Sequence, residues 1–191
     1  MTKLPQEQRA NDNILKIVQI DKQMNLFLLK NGQIFYEGTC ATDDGVIQLM
    51  SEEKKFEKDQ QASGMLWDGF WPLVAGEKII DLAGGSECLA IVTSQGNLYA
   101  KGRVIQELDS SILTSESNAA GQADEQRLDC AFKIELPNGY KAKQVWTGHT
   151  SQSMFVTAVA EAGGSKKHTT FFAGRACGST HDVNVKQFRP L

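Results

Sequence analysis

The chain has 191 residues, 41% apolar and 23% charged, a balance that supports a packed core and excludes a mainly disordered protein. Its net charge of −3 is spread over interspersed signs, without the broad cationic field that a nucleic-acid backbone demands of its main binding protein. Cys40, Cys88, Cys130 and Cys177 form no CxxC pair, which argues against a zinc knuckle or a redox dithiol and for reduced thiols. The N-terminal MTKLPQEQRANDN carries no apolar run of the secretory kind, and no window approaches membrane-spanning length, so a cytoplasmic or nuclear location is expected.

Taken in order, residues 15–38 end in LKNGQIFYEG, a hairpin pattern with its turn at Gly32 and a closing Gly38. A polar connector follows, in which residues 51–61 (SEEKKFEKDQQ) suit a short exposed helix. The second unit is the most regular: KIIDLAGGSECLAIVTSQGNLYAKG, residues 78–102, places Gly84-Gly85 before an apolar strand, a turn at Gly96 and a closing Gly102. Gly32 and Gly96 are 64 positions apart, as are Gly38 and Gly102, and between each pair an amide, an aliphatic and an aromatic residue recur in the same order. Counted from Lys16 against Lys78, the first unit is expected to have a first loop two residues shorter.

A second connector, residues 103–131, is poor in aromatics and reads as a mobile loop. The third unit opens at Ala142, with Val145, Trp146 and Gly148 matching Leu82, Ala83 and Gly85. Its hairpin swells to AVAEAGGSKKH, residues 158–168, before closing at Gly174. Each unit is preceded by an apolar lead-in bearing proline: Leu4-Pro5, Phe70-Trp71-Pro72-Leu73 and Phe132 to Pro137. Proline cannot donate to a ladder, so these lead-ins are expected as edge strands. The terminal QFRPL echoes GFWPL at residues 69–73 and reads as the opening of a further unit.

A period of 60 to 70 residues, with a proline lead-in, a strand ending in glycine, an apolar strand, a turn glycine and an aromatic before a closing glycine, resembles the repeats of the regulator of chromosome condensation (RCC1) family. The resemblance rests on LAGGSECLAIVTSQGNLYAKG. It departs where the family's histidine is Cys88 or Ser151, and where its aromatic before the closing glycine is Lys101 or Glu37. It implies an all-β, RCC1-like β-propeller with three blades plus the start of a fourth, as repeats at 4–38, 70–102 and 132–174 and a further start at 183–191. Three blades cannot close a ring. A partial propeller or a fragment of a seven-bladed one is expected, completed by blades of the same chain, another chain or a second copy.

Catalysis is not expected. Gly148-His149-Thr150-Ser151 reads as the loop entering a strand, and Cys177, His181 and Asp182 are too few for a metal centre without a second cluster. Gly163-Gly164-Ser165-Lys166-Lys167-His168 lacks the strand-to-helix setting of a phosphate loop and reads as a hairpin tip. No catalytic, cofactor or metal residue is assigned. The candidate partner contacts are Lys166, Lys167 and His168 on that tip, aimed at an acidic surface, and Trp67 and Trp71, with Phe70 and Trp146 beside them. An ordinary solvated hairpin and inter-blade packing are the competing explanations. The function expected is a protein–protein interaction scaffold; the resemblance also implies an exchange factor for a small GTPase, and a structural subunit of a large assembly is the third class.

Overall fold

The computed structural model describes residues 13–21, 24–39, 61–65, 71–85, 88–114, 131–148, 152–162, 165–176 and 183–191. They form three antiparallel sheets that follow one another along the chain. The first contains β1 (Ile14–Asp21), β2 (Met24–Leu29), β3 (Ile34–Thr39) and β4 (Gln61–Met65), paired in that order. The second contains β5 (Ile79–Gly85), β6 (Cys88–Thr93), β7 (Leu98–Gly102), β8 (Leu113–Thr114) and β9 (Phe132–Ile134), ordered β5-β6-β7-β9-β8. The third contains β10 (Lys141–Thr147), β11 (Ser153–Ala162), β12 (Ser165–Ala176) and β13 (Val183–Pro190), again in sequence order. Strand β1 packs beside β5, and β5 beside β10, so the first strand of every sheet lies on a common inner side, the arrangement of a partial propeller.

Residues paired across an antiparallel ladder point to the same face, so the register assigns each side chain to one neighbour or the other. On the second sheet, Leu82, Ile91 and Tyr99 stand in register and meet Ile20, Met24, Leu26 and Leu28 of the first sheet. Its other face presents Ala83, Ala90, Ala100 and Phe132, which receive Ala142, Val145, Met154, Val156 and Phe171 of the third. All but a few per cent of these surfaces is removed from water, and each large aliphatic so buried contributes about 2 kcal/mol. The alanine row keeps the third sheet close; larger side chains there would force the two sheets apart.

A buried carboxylate ties all three sheets together. Asp81, on β5, accepts a hydrogen bond from the Val145 backbone N–H of β10 at 2.8 Å and an ion-paired hydrogen bond from Lys16 Nζ of β1 at 2.6 Å. Each inner strand has a register shift at the corresponding place: between Ile14 and Lys16, between Ile79 and Asp81, and between Ala142 and Gln144. The residues they skip, Leu15, Ile80 and Lys143, are all exposed. A bulge re-aims the side chain that follows it, and here it turns Lys16 and Asp81 toward the next sheet.

The turns are seated against the next sheet as well. Gly32 and Gly96 have φ of +89° and +81°, which β-carbon-bearing residues rarely adopt. A β-carbon at Gly32 would lie 3.0 Å from the Ile79 nitrogen, and one at Gly96 would lie 2.6 Å from the Lys141 β-carbon. The Gly96 carbonyl also accepts the Ala142 N–H at 2.9 Å. The turn glycines are therefore fixed by neighbouring sheets as much as by their own hairpins.

Several expectations change. Lys16 pairs with Leu28 and Asp81 with Val92, so Lys16 corresponds to Asp81 and not to a residue near Lys78; the first loop of the first unit is not shortened. The second connector is not all loop. Val104–Glu107 forms a short helix, α1, whose Val104 and Ile105 are buried with Leu108 in the core shared by the second and third sheets. The Asp109 N–H bonds the Lys186 carbonyl and Asn184 bonds Glu107, tying this segment to β13. Of the proline lead-ins, Phe132–Ile134 is an interior strand between β7 and β8, and Trp71-Pro72-Leu73 is no strand. QFRPL lies mostly in β13, the outer strand of the third sheet, so the sequence period is offset from the sheets by one strand. The helix read at residues 51–61 falls outside the described residues but for Gln61, which opens β4.

Asp81→Ala strands the Val145 N–H in the core and should cost about 2–4 kcal/mol by urea unfolding, while Asp81→Asn, which keeps an acceptor, should cost about 1 kcal/mol less than that. Equal losses for the two would show that the acceptor geometry is unimportant. Gly76 has a φ of +84° with open space around it, so Gly76→Ala should cost only the about 1–2 kcal/mol of a left-handed residue, and Gly96→Ala distinctly more. A Gly96→Ala loss no larger than that of Gly76→Ala would remove the seating of the turn against Lys141.

Candidate functional site

The swollen hairpin is a regular ladder: Ala158 pairs with Thr169, Val159 with His168, Ala160 with Lys167, and the pairing continues to Ala162 and Ser165. Side chains alternate along it, so Lys166 and His168 share one face and Lys167 takes the other. On the first of these faces, Lys141 of β10 pairs with Val159, placing Lys141, Val159 and His168 side by side across three strands. The predicted trio is thus divided, and Lys141 and Lys143 join two of its members. Alternation in Lys141-Ala142-Lys143, with the alanine buried, was the signal in the sequence for this pair.

These residues line a cleft of about 760 Å³ between the hairpin and the β6–β7 turn, with Lys141, Lys143, Lys166 and His168 on one side and Ser94, Gln95 and Asn97 on the other. A smaller hollow of about 380 Å³ shares Lys143 and His168 and adds Gln144, Thr157, Thr169 and Thr170. All four basic residues are exposed. The two hollows adjoin at Lys143 and His168 and form one basic groove, lined by these residues with hydroxyl and amide groups beside them.

Glu77 holds the opposite wall in shape. Its carboxylate accepts from Thr93 Oγ1 at 2.7 Å, the Val74 N–H at 2.8 Å, Tyr99 Oη at 3.1 Å and the Asn97 amide. Burial pushes its pKa up, but the hydrogen bonds from Thr93, Val74, Asn97 and Tyr99 outweigh that and leave it below the usual glutamate value. On the hairpin side, Tyr140 packs edge-on against Phe171 at 5.0 Å and accepts a hydrogen bond from Thr169 Oγ1 at 3.1 Å.

A second surface of the third sheet faces away from the other two sheets. Trp146, Phe155 and Phe172 stand in register across β10, β11 and β12, with the Phe155 and Phe172 rings 5.0 Å apart. Trp146 is 43% exposed and Phe155 38%. They occupy the positions that Ala83, Ala90 and Ala100 fill on the second sheet, where the third sheet packs. Trp71, by contrast, is only 5% exposed and lies in the core between the first and second sheets, so it cannot anchor a partner. Trp67 and Phe70 fall outside the described residues, as do His149, Ser151, Cys177 and His181.

Among the described residues no group of three or more histidine, cysteine or acidic side chains could hold a metal ion. Cys88 is fully buried, and burial pushes its thiol up to about 12, far from a reactive thiolate. No helix among the described residues is long and apolar enough to cross a membrane.

No family model and no curated protein sequence matches the chain. Solved structures do. The human WBSCR16 structure superposes with a TM-score of 0.58 at 14% identity, covering 96% of this chain and 39% of its own. The structure of Prp20p from Saccharomyces cerevisiae, described with its binding to Gsp1p and histones, superposes with a TM-score of 0.51 at 17% identity, covering 92% and 38%. The fold is a divergent RCC1-like propeller segment, and the chain spans about two fifths of the length of these structures.

Because Glu77 has a lowered folded pKa, its contribution to stability is complete above the unfolded glutamate pKa of about 4.3 and is lost as pH falls below that toward the folded value. The stability advantage of the native chain over Glu77→Gln should therefore shrink on acidification from neutral pH through that window, read as the difference in thermal midpoints. A constant difference from neutral pH down through it would contradict the assignment.

Proposed function

We propose that the chain is a non-catalytic protein–protein interaction scaffold built on RCC1-like blades, and that its principal contact is the outward face of the third sheet. The observation that carries this reading is the Trp146–Phe155–Phe172 row, with Trp146 and Phe155 exposed and Phe172 half-buried, at positions that elsewhere in the molecule hold two sheets together. Burying such rings drives association more strongly than any other side chains on this surface would. The occupant that fits is the face of another antiparallel blade, since continuity with the two existing interfaces supplies both the spacing and the strand direction. Such a blade belongs to a longer assembly of the same repeat or to a partner protein.

A regulatory factor that exchanges nucleotide on a small GTPase is the second reading, supported by the likeness in fold to Prp20p. It predicts faster nucleotide release from some member of a GTPase panel, and the scaffold reading predicts none.

In sedimentation velocity the native chain should associate with rising concentration, because an interface of this kind joins head to tail when no further blade covers it. The double variant Trp146→Asp, Phe155→Asp should remain monomeric with an unchanged circular dichroism spectrum. An aspartate variant that associates as strongly as the native chain would overturn the role of this face.

A further inference from the structure

We infer that the basic groove between the β6–β7 turn and the β11–β12 hairpin binds an acidic peptide segment, a run of glutamate or aspartate side chains in extended conformation. The inference rests on reading the chain as an interaction scaffold and adds a partner chemistry at a surface separate from the aromatic face.

Four observations lead to this ligand. First, three lysines and a histidine line one concavity of about 760 Å³ in a chain whose net charge is −3, so the cations are concentrated here against the average of the molecule. Second, the cleft is not an isolated hollow, because one of about 380 Å³ adjoins it at the shared Lys143 and His168. A single anion needs no adjoining hollow, whereas an extended chain repeats its side chains every second residue on one face. Third, Ser94, Gln95, Gln144, Thr157 and Thr170 border it with neutral polar groups suited to a peptide backbone, while Asn97 and Thr169 are held by Glu77 and Tyr140. Fourth, the cations are lysines, compact point charges on flexible stems, and no arginine fork lines either hollow. A duplex would need basic side chains spread over a wider track than this one groove provides.

Its walls come from two sheets. The turn is held by Glu77 and by the Gly96 carbonyl bond to Ala142, and the hairpin side by the in-register Lys141–Val159–His168 row. The groove is thus preformed, which lowers the ordering cost of binding.

The test is fluorescence anisotropy of a labelled oligoglutamate peptide on the full chain, at about 0.15 M salt and at lower salt. An oligoglutamine peptide, a DNA oligonucleotide and excess inorganic phosphate serve as comparisons. The glutamate peptide should bind, more tightly at low salt, and the glutamine peptide should not. Lys143→Glu with Lys166→Glu should weaken binding by about tenfold or more, while Lys167→Glu, on the opposite face, should leave it within about twofold. The aromatic-face variant Trp146→Asp, Phe155→Asp should bind the peptide normally, which separates a failure of the groove from a failure of that face. Circular dichroism checks that each variant is folded; should the double charge reversal fail to fold, Lys143→Gln with Lys166→Gln replaces it with the same expectation of weakening. Absence of glutamate-peptide binding, an equal loss with Lys167→Glu, tighter binding of the DNA, or complete displacement by phosphate would each overturn the inference.

Discussion

The described part of the molecule depends on one carboxylate. Asp81 sits on the inner strand of the middle sheet and bonds forward to the Val145 backbone and backward to Lys16, so three sheets share one acceptor. Apolar contact alone would let packed sheets slide along one another, because burial is non-directional. A buried hydrogen-bonded charge permits no such slip, since any shift that breaks a bond leaves a polar group unpaired in the core. The bulges make this possible by leaving Leu15 and Ile80 out of the ladders and aiming Lys16 and Asp81, which stay in register, toward the neighbouring strand.

Around that fixed point the units diverge at their tips. In the first two, a tight turn ends at a glycine pressed against the next sheet, at Ile79 or at Lys141. In the third, the two strands run on past the place where such a turn would stand, and the groove opens between this extension and the preceding turn. The same geometry that locks the second sheet to the third therefore builds one wall of the candidate site. Insertion of residues into the third hairpin builds the other.

The sequence revealed what local chemistry dictates. Turn glycines followed by alternating apolar residues mark hairpins because positive φ and a two-residue side-chain period are both short-range requirements. What it concealed was long-range or too short to have a period. Lys16 and Asp81 are equivalent only through the bulges, and an alignment anchored on Lys78 slid past them. Helix α1 has four residues, fewer than a helical repeat needs to show, yet Val104 and Ile105 are buried completely. Trp71 and Trp146 look alike in the sequence, and only the packing shows that one is core and the other surface. Lys166 and Lys167 are adjacent and look equivalent, until the ladder assigns them to opposite faces.

The most telling contrast is between the two faces that look the same way along the chain of sheets. On the second sheet the row is Ala83, Ala90 and Ala100, small enough for Val145, Val156 and Phe171 to pack down onto it. On the third, the same positions carry Trp146, Phe155 and Phe172. The molecule packs its sheets in two ways. Between the second and third a large row meets the alanines, and between the first and second Leu82, Ile91 and Tyr99 meet the in-register row of Val18, Leu26 and Tyr36 and keep almost no surface in water. Close packing thus asks for complementary shape and not for one small partner. The backward face of the first sheet presents Ile17 and Phe27 in register. Copies of this chain that meet head to tail would set that row against Trp146, Phe155 and Phe172, large against large as between the first two sheets.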